Sequence, residues 1–155
     1  MQFKKTIRID APISRVWALN DEIEAVAKSI PGVSEVNMIS PDEFECRLKQ
    51  DVGPVSTSFR LRTTIQDRET ERRVTALTEG RDQRLGSTVK AKQIFELRPD
   101  GDATEVDISA DVQITGRIAT FGQRIVSAKA EQVILEAMES ITKLLETKGA
   151  GVGGS

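Results

Sequence analysis

One change of pattern dominates this chain. Apolar and polar side chains alternate through about eighty residues, in successive segments that begin at Val33 and end near Ile114. From about Ile118 to Lys148 the apolar residues recur instead at intervals of three and four, which is typical of an amphipathic helix. Alternating strands without intervening helices predict an antiparallel sheet with one apolar face, which another element has to cover. The C-terminal helix is the only segment long enough to do so.

The N-terminal part completes this predicted fold. Residues 3–9 alternate and predict a first strand, and turn and cap signals at Pro12 and at Asn20 predict two short helices that end before Gly32. The sequence therefore predicts an α+β fold in which a strongly curved antiparallel sheet of about seven strands wraps around the long C-terminal helix. We expect one domain over residues 1–148 and a flexible glycine-rich tail over 149–155. A sheet wrapped around one helix leaves a gap at one end, and an apolar cavity there would hold an apolar small molecule.

Missing residue types restrict the chemistry of the chain. The sequence has no His, no Tyr and a single cysteine, Cys46. Ser–His and Cys–His catalysis and His- or Cys-rich metal, haem or iron–sulfur sites are excluded, and so is an intrachain disulfide. With 22 basic and 24 acidic residues the formal net charge is -2, which argues against a nucleic-acid partner. We predict no metal, no cofactor and no catalytic residue.

Several short segments resemble a known superfamily. They are residues 9–12 with Val16 and Trp17, then 30–33, 52–55, 80–82 with 86–87, and 116–124. Together with the order of elements, they resemble the START-like (SRPBCC), or helix-grip, superfamily. Within it the chain is most similar to the family of the G subunit of carbon monoxide dehydrogenase, and the segment 116–124 is the more specific part of that similarity. The resemblance covers residues 3–147.

The resemblance implies a function. It implies a non-catalytic accessory protein that binds an apolar small molecule, a quinone or another lipid-like ligand. It also implies service to a molybdenum-containing carbon monoxide dehydrogenase or a related oxidoreductase, with transient contact to a membrane. We expect a cytoplasmic protein, with a peripheral position at the inner membrane face as an open alternative. Two further alternatives are a cyclase- or dehydratase-like enzyme of the same superfamily and an assembly factor without a ligand.

The alternation indicates candidate ligand-binding residues. Apolar side chains expected on the concave sheet face include Phe44 and Leu97, and plain core packing is the alternative for each of them. Thr57, Thr63 and Gln93 share that face, and they bond either a ligand carbonyl or each other and nearby backbone. The predicted ligand-binding set is Leu48, Phe59, Leu61, Gln93, Phe95, Phe121 and Ile125.

Two places stay ambiguous in the sequence. In the strand around Leu77 a one-residue slip decides whether Val74 and Ala76 face inward or whether Glu79 and Arg81 do, as an ion pair at the pocket.

At the start of the long helix, Ile118, Phe121 and Ile125 lie away from the main apolar stripe. Either that flank packs on the short helices or reflects a bend near Gly122, or it lines the mouth of the cavity or contacts a membrane or partner. We favour the second explanation. Arg117 and Arg124 beside it are predicted to contact an anion or a partner carboxylate, with plain surface charges as the alternative.

Overall fold

The computed structural model describes the backbone of residues 1–153 and the side chains of residues 1–146. Its elements follow the predicted order of one strand, two short helices, six strands and a long helix. They are β1 (Gln2–Ile9), α1 (Ile13–Trp17), a 3₁₀ helix (Ala18–Asp21), α2 (Ile23–Ser29), β2 (Val33–Ser40), β3 (Glu43–Val52), β4 (Val55–Glu69), β5 (Arg73–Asp82), β6 (Ser87–Asp100), β7 (Ala103–Thr115), a second 3₁₀ helix (Arg117–Phe121) and α3 (Gln123–Gly153).

The seven strands form one sheet in the order β1-β7-β6-β5-β4-β3-β2, and each neighbouring pair is antiparallel. Consecutive strands from β2 to β7 pair as hairpins, whereas β1 crosses over to pair with β7. The predicted α+β helix-grip fold is confirmed.

The backbones of β4 and β5 come very close to each other at Gly80. A Cβ atom on Gly80 would lie 2.0 Å from the carbonyl oxygen of Arg60, closer than any side chain can approach. Only glycine lets the two backbones come this near. This close approach supports the strong curvature that wraps the sheet toward α3.

Two apolar clusters hold α3 over the concave face. The cluster at its C-terminal half buries Met138 and Leu145 against β1, β7 and α1, through Ile9, Val16 and Ile108. The cluster at its N-terminal end packs Val126 with the residues Val52, Phe59, Leu85 and Ile118. Burying one such side chain contributes about 1.5–3 kcal/mol. The helix is thus packed at both ends. Leu48, which pairs with Phe59, belongs to neither cluster.

Three boundaries differ from those that the pattern predicts. The charged segment from Gln66 to Arg73 is typical of a hairpin loop in the sequence, yet β4 continues through Glu69 and only a short turn follows. Cross-strand pairing extends the strand there, and the ion pair between Arg73 and Glu69 closes the hairpin at 2.5 Å. Charge alone is therefore a poor guide to where an outward-facing strand ends.

The long helix begins later than predicted. Gly122 has φ +97°, a left-handed value that ends the second 3₁₀ helix, and α3 starts at Gln123. At the other end α3 extends to Gly153, into the segment 149–155 that we predict as a tail. Side chains after Glu146 and residues 154–155 lie outside the described residues, so the tail stays a prediction.

Candidate functional site

The structure resolves the facing of β5. Ala76 is buried and pairs with Gln93, and Thr78 pairs with Ala91, so these residues point toward α3. Glu79 and Arg81 are exposed on the opposite, outer face of the sheet. The alternative that placed them as an ion pair in the interior is wrong, because each lies one residue out of phase with the inward side chains.

A polar cluster crosses the concave face on three adjacent strands. The hydroxyl oxygens of Thr63 on β4 and Thr78 on β5 lie 2.8 Å apart. The side-chain amide of Gln93 on β6 lies 3.3 Å from the Thr78 hydroxyl through its nitrogen and 3.4 Å through its oxygen. We call these three residues the TTQ cluster. Both contacts of Gln93 are long, so the amide keeps hydrogen-bonding capacity for a further partner.

The Thr57 hydroxyl, unlike the Gln93 amide, already makes a short hydrogen bond within the protein. Its hydroxyl donates to the carbonyl oxygen of Gln50 at 2.7 Å, and the residue is 3% exposed. The sequence left open whether these polar residues bond a ligand or bond each other and nearby backbone. Thr57 bonds the backbone, and Thr63 and Gln93 bond within the TTQ cluster.

The apolar candidates divide into two groups. Phe59 is buried in the cluster around Ile118 and Val126, which makes it a core residue. Leu48, Leu61 and Phe95 are only partly buried, although they face α3. Leu61 packs against the cluster around Phe59, and Phe95 packs against the cluster around Ile108, whereas Leu48 belongs to neither. Ligand binding by these residues stays a prediction.

A cleft of about 470 Å³ opens between α3 and the edge of the sheet. Gln50 and Thr57 reach it from the concave face, and Lys129, Gln132 and Glu136 reach it from α3. Most of its lining residues are polar, and none of them belongs to the predicted ligand-binding set. The cleft lies at the rim, where the polar flank of α3 meets water, and not at the helix start where we predicted the cavity mouth. That mouth stays a prediction.

The second 3₁₀ helix and the start of α3 carry the apolar side chains and the exposed arginines that the sequence suggested. Phe121 is partly buried against the cluster around Phe59 and Ile118. Ile125 is 48% exposed. Arg117 and Arg124 are exposed as well, and neither forms an ion pair within residues 1–146. The rotated apolar flank follows from the helix break at Gly122.

Two buried groups in the interior have little reactivity. Asp82 is 3% exposed, and its carboxylate accepts hydrogen bonds from the backbone N–H groups of Ser58 at 2.8 Å and Leu85 at 3.2 Å. Burial raises the pKa of the Cys46 thiol, so it stays protonated at neutral pH and is a weak nucleophile. The described residues contain no group of three or more His, Cys, Asp or Glu side chains placed to hold a metal ion.

The family model for the G subunit of carbon monoxide dehydrogenase (CoxG) matches residues 6–146. The chain belongs to this family. Among curated proteins none gives a significant sequence match.

Solved structures share the fold of this CoxG family member at low sequence identity. A conserved protein from Geobacillus kaustophilus superposes with a TM-score of 0.85 at 18% identity, covering 95% of this chain and 96% of the other. The Zhui aromatase/cyclase from a Streptomyces species gives 0.72 at 14% identity, covering 100% and 99%. A START superfamily protein from Mycobacterium smegmatis gives 0.66 at 16% identity, covering 94% and 97%. These similarities establish the START-like fold.

The structure also shows features of this CoxG family member that the sequence pattern does not single out. Thr78 joins the TTQ cluster, but it could be placed only once the facing of β5 was known. On the outer face, a second cleft of about 700 Å³ contains Arg47, Arg60 and Arg81. Alternation marks each arginine as outward, but their alignment depends on strand register. Within the described residues, no helix has the length and apolar character needed to cross a bilayer.

Proposed function

We propose that this protein is a non-catalytic carrier of an apolar small molecule that bears a carbonyl group, with a quinone as the expected class. The observation that carries the proposal is the TTQ cluster, a set of hydrogen-bonding groups on the concave face beside partly buried apolar side chains. We further propose that it serves a carbon monoxide dehydrogenase-type molybdenum oxidoreductase, which rests on the family description.

The energetics of the concave face support a ligand with mixed character. A polar group in apolar surroundings costs about 1–3 kcal/mol unless it is hydrogen-bonded. Gln93 has only long contacts to Thr78, so a ligand carbonyl that accepts from its amide N–H would relieve part of that cost. Leu48, Leu61 and Phe95 are positioned to contact an apolar ring or tail beside it. A quinone offers both features in one molecule.

The interior gives little support to an enzyme. The carboxylate of Asp82 is occupied by two backbone N–H groups, and Cys46 is a protonated thiol. General acid–base or nucleophilic catalysis needs a group that is free to exchange a proton or attack a substrate. An aromatase/cyclase shares the fold, but a shared fold does not carry over an activity.

Delivery of the ligand requires a surface that meets a bilayer or an enzyme. Exposed Ile125 lies next to Arg124 and follows Arg117 at the entrance to α3. An apolar side chain flanked by arginines suits the boundary between anionic headgroups and acyl chains. We propose this segment as the contact through which the ligand is exchanged.

Binding of decylubiquinone tests the carrier function. The chain has one tryptophan, Trp17, whose fluorescence reports quenching by a bound quinone. We expect saturable quenching by the wild type and a five- to thirtyfold weaker affinity in Gln93→Leu, since one hydrogen bond to the ligand is lost. Gln66→Leu makes the same change at an exposed position of β4 and serves as the matched control. Absence of binding, or equal affinity in both variants, would refute the proposed site.

Native mass spectrometry of the protein purified without added ligand gives a second readout. Retention of a quinone supports the carrier function. An empty protein that also fails to bind decylubiquinone supports the assembly-factor alternative.

A further inference from the structure

Three arginines lie directly opposite one another on the outer face of the sheet. Arg47 on β3 pairs in register with Arg60 on β4, which pairs with Arg81 on β5. Thr88 on β6 and Thr115 on β7 continue the same row. We call residues 47, 60 and 81 the arginine row. Their side chains point away from α3, opposite to the TTQ cluster.

Such a row is unfavourable in an isolated sheet. Like charges at directly opposite positions of antiparallel strands destabilise the pairing, whereas opposite charges stabilise it. The neighbouring row shows the favourable arrangement, since Glu45, Arg62, Glu79 and Lys90 alternate in sign from β3 to β6. The arginine row therefore departs from the alternation of charge in the row beside it.

Only one member of the row is neutralised by the protein itself. Arg47 forms an ion pair with Glu35 and donates to the Ser58 hydroxyl at 2.8 Å. Glu35 has φ +53° at a bulge in β2. Arg60 and Arg81 are exposed and form no ion pair within residues 1–146. Two adjacent guanidinium groups thus remain available.

The surroundings concentrate positive charge in a groove. The 700 Å³ cleft is lined by five basic and three acidic side chains, although the whole chain has a net charge of -2. Arg47, and to a lesser extent Arg60 and Lys49, lower the pKa of Glu35, in accord with a positive local field. The lining reaches from β2 to β7, and the part from β3 to β7 is about 19 Å long at the usual strand spacing.

We propose that this groove docks an acidic segment of a partner polypeptide, whose carboxylates pair with Arg60 and Arg81. A guanidinium group donates two parallel hydrogen bonds to a carboxylate, so two neighbouring arginines can bind two acidic side chains of one segment. The groove is longer than a single small anion needs. Its interspersed Glu45 and Glu79 disfavour a continuous anionic surface such as a membrane. The proposal is independent of whether the concave face holds a quinone.

Binding of a fluorescein-labelled decaglutamate peptide to the full-length protein tests the proposal by anisotropy at low ionic strength. We expect Arg60→Gln with Arg81→Gln to weaken binding at least tenfold relative to the wild type. Arg72→Gln with Lys92→Gln removes the same charge from exposed positions outside the groove and should stay within twofold of the wild type. Raising the salt concentration should weaken the wild-type complex.

A second measurement separates docking from folding. Because like-charge repulsion is relieved, we expect the double variant in the row to melt about 1–3 °C above the wild type. Equal peptide affinity in both double variants would overturn the proposal. So would displacement of the peptide by inorganic phosphate beyond the effect of chloride at equal ionic strength. Preferential binding to phosphatidylglycerol vesicles in place of the peptide would assign the groove to a membrane and likewise refute the proposal.

Discussion

The carboxylate of Asp82 accepts a hydrogen bond from the backbone N–H of Ser58 at 2.8 Å, across 24 residues of sequence. Its second oxygen accepts from the N–H of Leu85 at 3.2 Å. One buried side chain therefore joins the start of β4 to the turn that follows β5, at the end of the sheet where α3 begins. This link orders the rim beside Phe59 and Leu85.

Replacement of Asp82 tests this structural role. Asp82→Ala leaves one buried and one partly buried N–H group without their acceptor, and we expect the free energy of unfolding to fall by about 2–4 kcal/mol. Urea denaturation measures the change. Asp67→Ala removes an exposed carboxylate from β4 and should stay within about 0.5 kcal/mol of the wild type. Equal stability of the two variants would show that the Asp82 hydrogen bonds contribute nothing.

Gly80 offers a sharper test of the sheet curvature. A Cβ there meets the Arg60 carbonyl oxygen at 2.0 Å, and neither backbone can move without disturbing the pairing of β4 with β5. We expect Gly80→Ala to destabilise the fold by about 3 kcal/mol or more. Gly101→Ala is the control, because nothing lies within 4 Å and only its φ of +60° opposes the change. A cost of about 1–2 kcal/mol is expected there. A smaller cost at Gly80 than at Gly101 would contradict the close approach.

The sequence predicted the architecture because most strands carry a one-sided apolar pattern. In β3, β4, β6 and β7 large apolar side chains mark the inward face, and the structure confirms it for Phe59, Phe95 and Ile108. In β5 both phases mix an apolar residue with small or polar ones, so alternation could not show that Ala76 and Thr78 face α3.

The alternation within each strand could not predict which residues of neighbouring strands lie side by side. The TTQ cluster and the arginine row each join residues on three strands, and a shift of pairing register would separate them. The break at Gly122 could be predicted only as one alternative, a bend, for the rotated apolar flank. A glycine among helix-forming residues is compatible with a continuous helix, and only its positive φ shows the interruption.

The pairing of β6 with β7 predicts a specific pH dependence. Hydrogen bonds from Arg98 and then Thr6 hold the pKa of Asp107 below its usual value of 3.8. The stabilisation from this lowered pKa is fully present above the unfolded-state pKa and is lost as the pH falls through the folded-state pKa.

We expect Arg98→Gln to raise the pKa of Asp107 toward its usual value, as measured by NMR titration of the carboxyl carbon. The same variant should lose less stability than the wild type between about pH 4 and pH 2. Arg117→Gln, which removes an exposed and unpaired charge, should leave the titration of Asp107 unchanged. An unaltered titration in Arg98→Gln would contradict the hydrogen bond.

Exposed Ile125 allows the proposed delivery step to be separated from ligand binding. Ile125→Glu places a charge at the surface that we propose to meet the bilayer. The change leaves the TTQ cluster and the two apolar clusters that pack against α3 intact. We expect the affinity for decylubiquinone in detergent-free solution to stay within twofold of the wild type, because the interior is unchanged. Transfer of the quinone from phosphatidylglycerol-containing vesicles, followed by stopped-flow quenching of Trp17, should slow at least fivefold, since a buried charge opposes insertion. Leu135→Glu makes a comparable change at a site of 40% exposure on the same helix and should transfer at the wild-type rate. Equal slowing in both variants would mean that added negative charge, and not contact through Ile125, limits transfer.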